Sequence, residues 1–313
     1  MRKEIDPMTK DPVLGVAHSE IISNIPQGAC DCHVHVFGND AEFPMWKDRY
    51  YTPPPAPVEA LAVHQRALRF DRVVIVQPSI YGTDNRCTLD AVAKIGRGAR
   101  AIAVVDNETT RGDLQDLAHG GVVGIRLNLA AAAAADLDRI RKQLYQAVEI
   151  AEPLGWHVQI FTELKIVAAL ENDFRQAPTP LVIDHFGRAN AGEGTKQAGF
   201  DVLLDLVAAG HVYVKLSAPY LVSSSPTQDD VVPLMRALVR ANSSRLLWGS
   251  NWPHPGAGTG IPADGIVPLR PIDDGAAVDT FASELNDPAV FKRILVDNPA
   301  KLFGFSDKDG LIP

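Results

Sequence analysis

Short apolar runs alternate along the chain with longer segments in which apolar residues recur every three or four positions. The short runs are apolar on both faces, which is typical of strands buried in a parallel sheet. Eight runs are predicted as strands: Ala29–Val36, Arg72–Gln77, Ala99–Val105, Val122–Leu127, Trp156–Phe161, Leu181–Ile183, Val212–Leu216 and Arg245–Trp248.

The segments between these runs have the periodicity of amphipathic helices. Leu137, Ile140, Leu144 and Val148, for example, are separated by steps of three and four residues, which places them on one helical face. The same pattern predicts helices over Val58–Arg69, Asp136–Glu152, Asp201–Ala209 and Asp230–Ala241.

The alternation of strands and helices predicts βαβ units, and eight strands in about 280 residues favour a closed (β/α)8 barrel of the TIM type. An open doubly wound sheet is the alternative. The turn after the first strand, residues 33–38, has no Gly-rich dinucleotide-binding fingerprint, which makes the open sheet less favoured.

The ends and loops of the chain differ in composition from the predicted barrel. Residues 1–27 are polar, contain Pro7, Pro12 and Pro26, and are predicted as an N-terminal arm; residues 28–313 are predicted as a single barrel domain. Phe43–Pro57 and Gly256–Pro271 are long loops that we expect at the barrel mouth, where they are candidates for closing over a ligand.

The charge of the chain excludes some classes of partner. Lys and Arg number 30 against 38 Asp and Glu, a net charge of −8, so no nucleic acid and no anionic membrane is expected as a partner. No apolar run is long enough to span a bilayer and no signal peptide is visible. Three cysteines without a metal-binding or redox spacing indicate reduced thiols, so we expect a cytoplasmic protein.

Polar side chains at the ends of two predicted strands are the first candidates for chemistry, because active sites of such barrels lie at the carboxyl ends of the strands. His33 and His35 end the first strand two positions apart, so both rings should face the same side. The sixth strand ends in Asp184 and His185, with Arg188 following. Spacing alone leaves open whether Asp184 orients a histidine or points outward.

The eighth strand is followed by a dense polar segment in which Asn251 and His254 lie among Trp252 and two prolines. Together with the histidine motifs, this segment resembles the amidohydrolase family-2 branch of the amidohydrolase superfamily, over about residues 28–303. The motifs that carry the resemblance are His33-x-His35, Gln77-Pro78-Ser79, Gly124-Ile125-Arg126-Leu127-Asn128, Trp156-His157-Val158, Asp184-His185-x-Gly187-Arg188 and Trp248-Gly249-x-x-Trp252-Pro253-His254.

The resemblance implies a distorted (β/α)8 barrel and chemistry at the carbonyl of a lactone. In such an enzyme His33, His35 and His185 would polarise the carbonyl, and Asn251 would complete the catalytic set. The residues that would bind the substrate or its carboxylate are Ser79, Arg126, Asn128, His157, Arg188, Tyr220 and His254.

Asn251 departs from the pattern of the superfamily, which usually places an aspartate general base at this position. An amide cannot take up a proton near neutral pH. We therefore keep two alternatives beside a lactone hydrolase. One is a lactone isomerase, in which a hydroxyl of the substrate attacks in place of water. The other is a barrel that binds ligands without turnover.

The expected substrate is a small carboxylated lactone. Residues 128–131 and 218–220 contain none of the further arginines that the lactonases of the family carry, which indicates a substrate with less anionic charge. No cofactor is favoured. The alternative is one Zn²⁺ held by His33, His35 and His185, as in other three-histidine sites. A homo-oligomer is left open.

Overall fold

The computed structural model describes residues 10–129, 136–256, 258, 260–306 and 309. Eight parallel strands form one sheet in sequential order, so the predicted (β/α)8 barrel is confirmed. The strands are β1 (Cys30–Val34), β2 (Arg72–Val76), β3 (Ala99–Ala103), β4 (Val122–Asn128), β5 (His157–Phe161), β6 (Leu181–Ile183), β7 (Val212–Ser217) and β8 (Leu246–Gly249).

Helices follow the strands and cover the outside of the sheet. They are α1 (Val58–Leu68), α2 (Arg86–Ile95), α3 (Arg111–His119), α4 (Leu137–Ala151), α5 (Leu164–Ala169), α6 (Glu171–Gln176), α7 (Phe200–Ala208), α8 (Val232–Asn242), α9 (Asp274–Leu285), α10 (Pro288–Lys292) and α11 (Asn298–Phe303), with a π-helical turn over Arg293–Asp297. In the part of the chain that the structure describes, none of the helices is long and apolar enough to cross a membrane.

The first and last strands meet where the barrel closes. Two backbone bonds join the end of β1 to the loop after β8: Asn251 N–H donates to His33 O (2.8 Å), and His35 N–H donates to Trp252 O (2.8 Å). The pairing of β1 with β2 is irregular between Asp31 and Val34, which locally changes the direction of the side chains. The backbone that carries the two histidines is therefore fixed by the loop that carries Asn251.

The amino end of the barrel is closed by apolar side chains. Cys30 and Cys32 of β1 pack with Val74 and Ile102, and Phe303 of α11 belongs to the same buried cluster. Helix α11 thus closes this end of the barrel with a buried aromatic ring. The opposite end, where the strands finish, carries the polar residues.

The described part of the N-terminal arm, residues 10–27, packs on the barrel. Asp11 and His18 are buried, although both are polar. Asp279 of α9 accepts the backbone N–H groups of Ile22 and Ser23 (both 2.9 Å). The arm thus follows α9 and reaches the loop after β8.

Candidate active site

The three predicted imidazoles come together at the carboxyl end of the barrel. The ring centre of His33 lies 4.6 Å from that of His185 and 5.1 Å from that of His35. All three side chains are buried. Burial holds the pKa of His35 at about 3 and that of His185 at about 4, so both rings are neutral near pH 7.

The tautomer of His35 follows from its backbone partner. Nδ1 of His35 lies 2.7 Å from the carbonyl oxygen of Val76. A carbonyl only accepts hydrogen bonds, so Nδ1 carries the proton of this neutral ring. Nε2 of His35 therefore has a free lone pair and can accept a proton.

A buried polar network lies under His33 inside the barrel. The ammonium of Lys215 on β7 donates to Gln159 Oε1 (2.6 Å) and lies 3.9 Å from Asp184 Oδ1. The amide of Gln159 donates to Asp184 Oδ2 (3.1 Å). Burial alone would raise the pKa of Asp184, but His33 and Lys215 beside it hold that pKa well below its usual range, so the carboxylate is ionised.

Nδ1 of His33 faces a donor and an acceptor at the same distance. Lys215 Nζ, which can only donate, and Asp184 Oδ1, which can only accept, each lie 3.4 Å from it. Burial and the charge of Lys215 hold the pKa of His33 well below its usual range, so the ring is neutral. These contacts are compatible with a proton on either ring nitrogen, and Nε2 is buried without a hydrogen-bond partner in the described structure.

His185 is oriented from below by a hydroxyl. Its Nδ1 lies 2.8 Å from Ser217 Oγ, at the end of β7. The ring of Phe161 packs edge-on against it, with centres 5.6 Å apart. His185 itself has a positive φ of 48°, in the left-handed region, so the backbone turns sharply where the ring enters the site.

Asn251 is held by a directional chain of hydrogen bonds. Its Nδ2 donates to Tyr220 Oη (2.8 Å), and Tyr220 Oη lies 3.2 Å from Nδ1 of His254. Nε2 of His254 donates to Asp274 Oδ2 (2.8 Å). This series of hydrogen bonds fixes the amide of Asn251 and leaves its Oδ1 buried without a hydrogen-bond partner among the described residues.

The same contacts give His254 a different position from the predicted one. Both of its ring nitrogens are engaged, by Tyr220 and by Asp274, and the side chain is fully buried. His254 therefore supports Tyr220 and Asn251 from behind, without a free nitrogen for the substrate.

A cleft of 690 Å³ lies over the ends of β2 to β4, and none of the three imidazoles is among the described residues that line it. Ser79, Arg126 and Asn128, all predicted to bind substrate, line it together with Trp46 and Lys47 of the loop 43–57. Arg126 donates to Gln77 O (3.2 Å) and lies 3.7 Å from Asp184, but its Nε is buried without a hydrogen-bond partner in the described structure.

Two more arginines stack on aromatic rings near the mouth. The guanidinium of Arg188 lies 5.3 Å from the ring centre of Phe161, which also packs on His185. The guanidinium of Arg270 lies 5.1 Å from the ring centre of Tyr220, and its Nε is buried without a hydrogen-bond partner among the described residues. Arg270 belongs to the loop after β8 and was not predicted as a site residue.

The two predicted mouth loops contact each other. Thr52 of the loop 43–57 pairs with Ile266 of the loop 256–271, and Val267 N–H donates to Thr52 O (2.8 Å). Both loops thus lie on the side of the barrel where the histidines are. Closure over a ligand remains a prediction.

His157 lies away from the other predicted site residues. It is the first residue of β5, where the strand begins, and its ring packs against Phe303 at 5.3 Å between centres. The adjacent Gly124 leaves room for the ring, since a Cβ at that position would lie 2.4 Å from it. The structure therefore places His157 at the closed end of the barrel, where it fills space.

The metal-ligating atoms that lie close together differ from the predicted three-histidine set. His33, Asp184 and His185 each offer one such atom within 4.8 Å of the others. However, the ammonium of Lys215 lies 3.4 Å from His33 Nδ1 and 3.9 Å from Asp184 Oδ1. Two of the three donors thus already face a positive charge, so this set fits a divalent cation poorly.

Lys215, Gln159 and Ser217 were not predicted as site residues, although a signal was present in the sequence. In β7, Tyr213, Lys215 and Ser217 alternate with apolar residues. In β5, Gln159 likewise lies between two apolar residues. A lysine or glutamine within a buried strand must find partners inside the barrel. That rule could have identified the network, but not its connection to His33.

Comparisons with known proteins identify the family of the chain. The sequence profile described as amidohydrolase matches residues 30–305. The 4-sulfomuconolactone hydrolase of Rhizobium radiobacter is 37% identical over 284 residues, covering 90% of this chain and 91% of the relative. The D-galactarolactone isomerase of Agrobacterium fabrum is 28% identical over 285 residues, covering 90% and 92%.

A solved structure from Pseudomonas putida, assigned as a 2-pyrone-4,6-dicarboxylic acid hydrolase, superposes with a TM-score of 0.76. It is 30% identical, and the match covers 90% of this chain and 99% of that one. The family profile extends over nearly the whole barrel, and the positions of all three imidazoles lie within the matched residues. The chain therefore belongs to the amidohydrolase family.

Proposed function

We propose that the protein is a lactone hydrolase that acts on a small anionic lactone. The observation that carries the proposal is the convergence of His33, His35 and His185 at the mouth of the barrel, with ring centres 4.6 and 5.1 Å from that of His33. The similar 4-sulfomuconolactone hydrolase acts, by its name, on a cyclic ester, which supports this reading.

The hydrogen bonds of the three rings suggest a role for each ring in the reaction. Water attacks the carbonyl carbon of the lactone, and its proton passes to the free Nε2 of His35, a weak base whose protonation is favoured by the negative charge that develops on the lactone. His33, in the tautomer that carries its proton on Nε2, donates to the oxygen that becomes negative, and His185 joins it when Ser217 donates to the other nitrogen of that ring. The ring C–O bond then breaks, and the proton on His35 passes to the departing alkoxide.

This scheme does not need a base at position 251. The side chain of Asn251 is fixed by Tyr220 and presents Oδ1, which accepts a hydrogen bond. It can orient the attacking water while His35 receives the proton. The substitution of the usual aspartate is then compatible with hydrolysis.

Unpartnered arginine nitrogens support an anionic substrate. Nε of Arg126 and Nε of Arg270 are both buried without partners in the described structure. A buried donor without a partner is costly, and a carboxylate or sulfonate of the substrate would satisfy it. Arg270 also supplies a cation on the side of Tyr220, where residues 218–220 contain no arginine.

The proposal is tested with a panel of lactones in ¹⁸O-labelled water. The panel contains muconolactones and 2-pyrones with one or two acidic groups, with neutral lactones of the same ring size as controls. We expect hydrolysis of the acidic lactones with one ¹⁸O in the product, and at least about a tenfold lower kcat/KM for the neutral ones. Conversion of none of the panel would contradict the proposal.

A lactone isomerase is the second candidate. Asn251 favours it, because an internal hydroxyl of the substrate needs less help from a base than water does. The similarity to a D-galactarolactone isomerase points in the same direction. Conversion of a hydroxylated sugar lactone to an isomer without ¹⁸O would select this candidate over the hydrolase.

A further inference from the structure

Two polar residues of the N-terminal arm are buried next to the loop that carries Asn251. Asp11 and His18 lie outside residues 30–305, the part of the chain that matches the family profile. His18 Nε2 lies 3.5 Å from Asp11 Oδ2. Burying a carboxylate and an imidazole costs free energy unless both form hydrogen bonds or ion pairs. Their hydrogen-bond partners therefore indicate their role.

Asp11 holds the indole of Trp252. Its Oδ2 accepts the hydrogen bond of Trp252 Nε1 (2.7 Å), while its Oδ1 accepts two backbone N–H groups of its own turn, from Val13 and Leu14 (both 2.8 Å). Trp252 follows Asn251 directly, and its carbonyl oxygen binds the backbone N–H of His35. Asp11 thus fixes a residue that contacts two members of the site.

His18 reaches Asn251 by a second route. Its Nδ1 accepts the backbone N–H of Asp274 (3.2 Å). The carboxylate of Asp274 binds His254, which contacts Tyr220 Oη, and Tyr220 Oη in turn accepts from Asn251 Nδ2. The two routes close into one ring of buried contacts that begins and ends at the arm.

We propose that Asp11 and His18 are positioning residues that hold the side chain of Asn251 in its working geometry. The inference rests on the proposed function for its kinetic consequence. Neither residue is among those that line the cleft of 690 Å³: Asp11 acts through Trp252, and His18 acts through Asp274. The arm is therefore part of the active-site structure, although it precedes the barrel.

A metal site is the other use that these side chains suggest. Asp11, His18 and His64 each place one possible ligand atom within 4.8 Å of the others. However, His18 Nδ1 accepts the N–H of Asp274, so the proton of a neutral His18 ring is on Nε2, the atom that would have to bind the metal. The hydrogen bonds therefore favour the positioning role.

The test compares Asp11→Asn with Asp279→Asn. Asparagine at position 11 keeps an acceptor for its own turn but turns an N–H toward Trp252 Nε1–H, which breaks the contact. Asp279 also fastens the arm, through Ile22 and Ser23, yet it has no hydrogen bond to the loop 250–254. A loosened arm alone would affect both variants equally.

We expect Asp11→Asn to lower kcat about tenfold with a change in KM below about threefold, and Asp279→Asn to stay within about twofold of the unaltered enzyme. Trp252→Phe removes the donor of the same bond and should lower kcat similarly. The double variant Asp11→Asn/Trp252→Phe should have a kcat no lower than the slower single variant, because the two substitutions remove the same hydrogen bond. Equal kinetics of Asp11→Asn and Asp279→Asn would overturn the proposal.

A second measurement separates this inference from the proposed function. The side-chain amide signals of Asn251 in ¹⁵N NMR should shift in Asp11→Asn and stay in place in Asp279→Asn. If the unaltered protein hydrolyses no lactone, the proposed function fails, and these signals still decide the positioning role. Unshifted Asn251 signals in a folded Asp11→Asn protein would overturn it.

Discussion

At the scale of single residues, the site is defined by which nitrogen of each ring carries the proton. His33 and His35 stand two positions apart in the sequence, yet Nδ1 of His35 donates to the carbonyl of Val76, whereas Nδ1 of His33 lies 3.4 Å from both Lys215 Nζ and Asp184 Oδ1. His35 can therefore accept a proton at Nε2, and His33 presents an Nε2 that has no hydrogen-bond partner in the described structure. Three neighbouring histidines are therefore not equivalent, and replacing them should have different consequences.

His185→Ala tests the contribution of one ring to the transition state. Removing a donor to the developing oxyanion typically costs 10²–10³ in kcat, so we expect less than about a tenth of the activity to remain. Ser217→Ala, which only frees Nδ1 of His185, should reduce kcat less. Kinetics with an acidic lactone check this, with circular dichroism to verify the fold. A His185→Ala protein with more than a tenth of the original kcat would contradict the assigned role.

The strand ends allowed the three imidazoles to be predicted, because polar residues after apolar runs are conspicuous in a sequence. His157 and His254 show the limit of that reasoning. His157 begins its strand and therefore lies at the closed end of the barrel, and the two nitrogens of His254 are used by Tyr220 and Asp274. Whether a histidine lies at the open or the closed end of the barrel, and which groups bind its ring nitrogens, depends on tertiary contacts.

At the scale of elements, the strands were easier to predict than the helices between them. All eight predicted strands are present, with ends that differ by at most two residues, because most residues of buried parallel strands are apolar. Helices α2, α3, α5, α6 and α9 were not predicted. In α3 only Leu117 is buried, so its sequence has almost no apolar period for a helix to show.

The N-terminal arm was predicted from its prolines and polarity, which gave no sign that it packs. The burial of Asp11 and His18 arises from partners more than 200 residues away, Trp252 and Asp274. A short polar segment carries too little information to predict such contacts. The consequence for stability can nevertheless be derived from the structure.

The arm should contribute acid-sensitive stability through Asp11. Burial would raise the pKa of Asp11, but hydrogen bonds from His18, Leu14, Trp252 and Val13 lower it from 3.8 to about 2. A lowered pKa in the folded state means stability that is present above pH 4 and is lost as the pH falls toward 2. The shift corresponds to about 2 kcal/mol.

Urea unfolding of the original protein and of Asp11→Asn between pH 7 and pH 3 measures this contribution. The difference in unfolding free energy should be about 2 kcal/mol at pH 7 and should shrink below pH 4. Asp116→Asn, an exposed position on α3, is the control and should change stability by less than about 0.5 kcal/mol. A difference that does not depend on pH would mean that the charge of Asp11 is not what stabilises the arm.

At the scale of the whole molecule, the charge of the surface and that of the site have opposite signs. The chain carries a net charge of −8, whereas Arg126 and Lys215 lie within 3.9 Å of the single ionised carboxylate of Asp184. A positive interior at the mouth attracts anionic ligands and repels cations. The same imbalance bears on whether the site holds a metal.

The charge balance predicts that turnover does not depend on a divalent cation. A Zn²⁺ held by His33 and Asp184 would lie close to the ammonium of Lys215, and Asn251 supplies no anionic ligand to offset this repulsion. Protein dialysed against a chelator should contain less than about 0.1 equivalent of zinc by elemental analysis and should keep its original kcat/KM. Lys215→Met, which removes the repelling charge, is the informative comparison, because it should bind zinc more tightly than the original chain. Stoichiometric zinc in the original chain, with activity that is lost on chelation and restored by Zn²⁺, would instead mean that Lys215 moves aside for the ion and that Asp184 is a ligand.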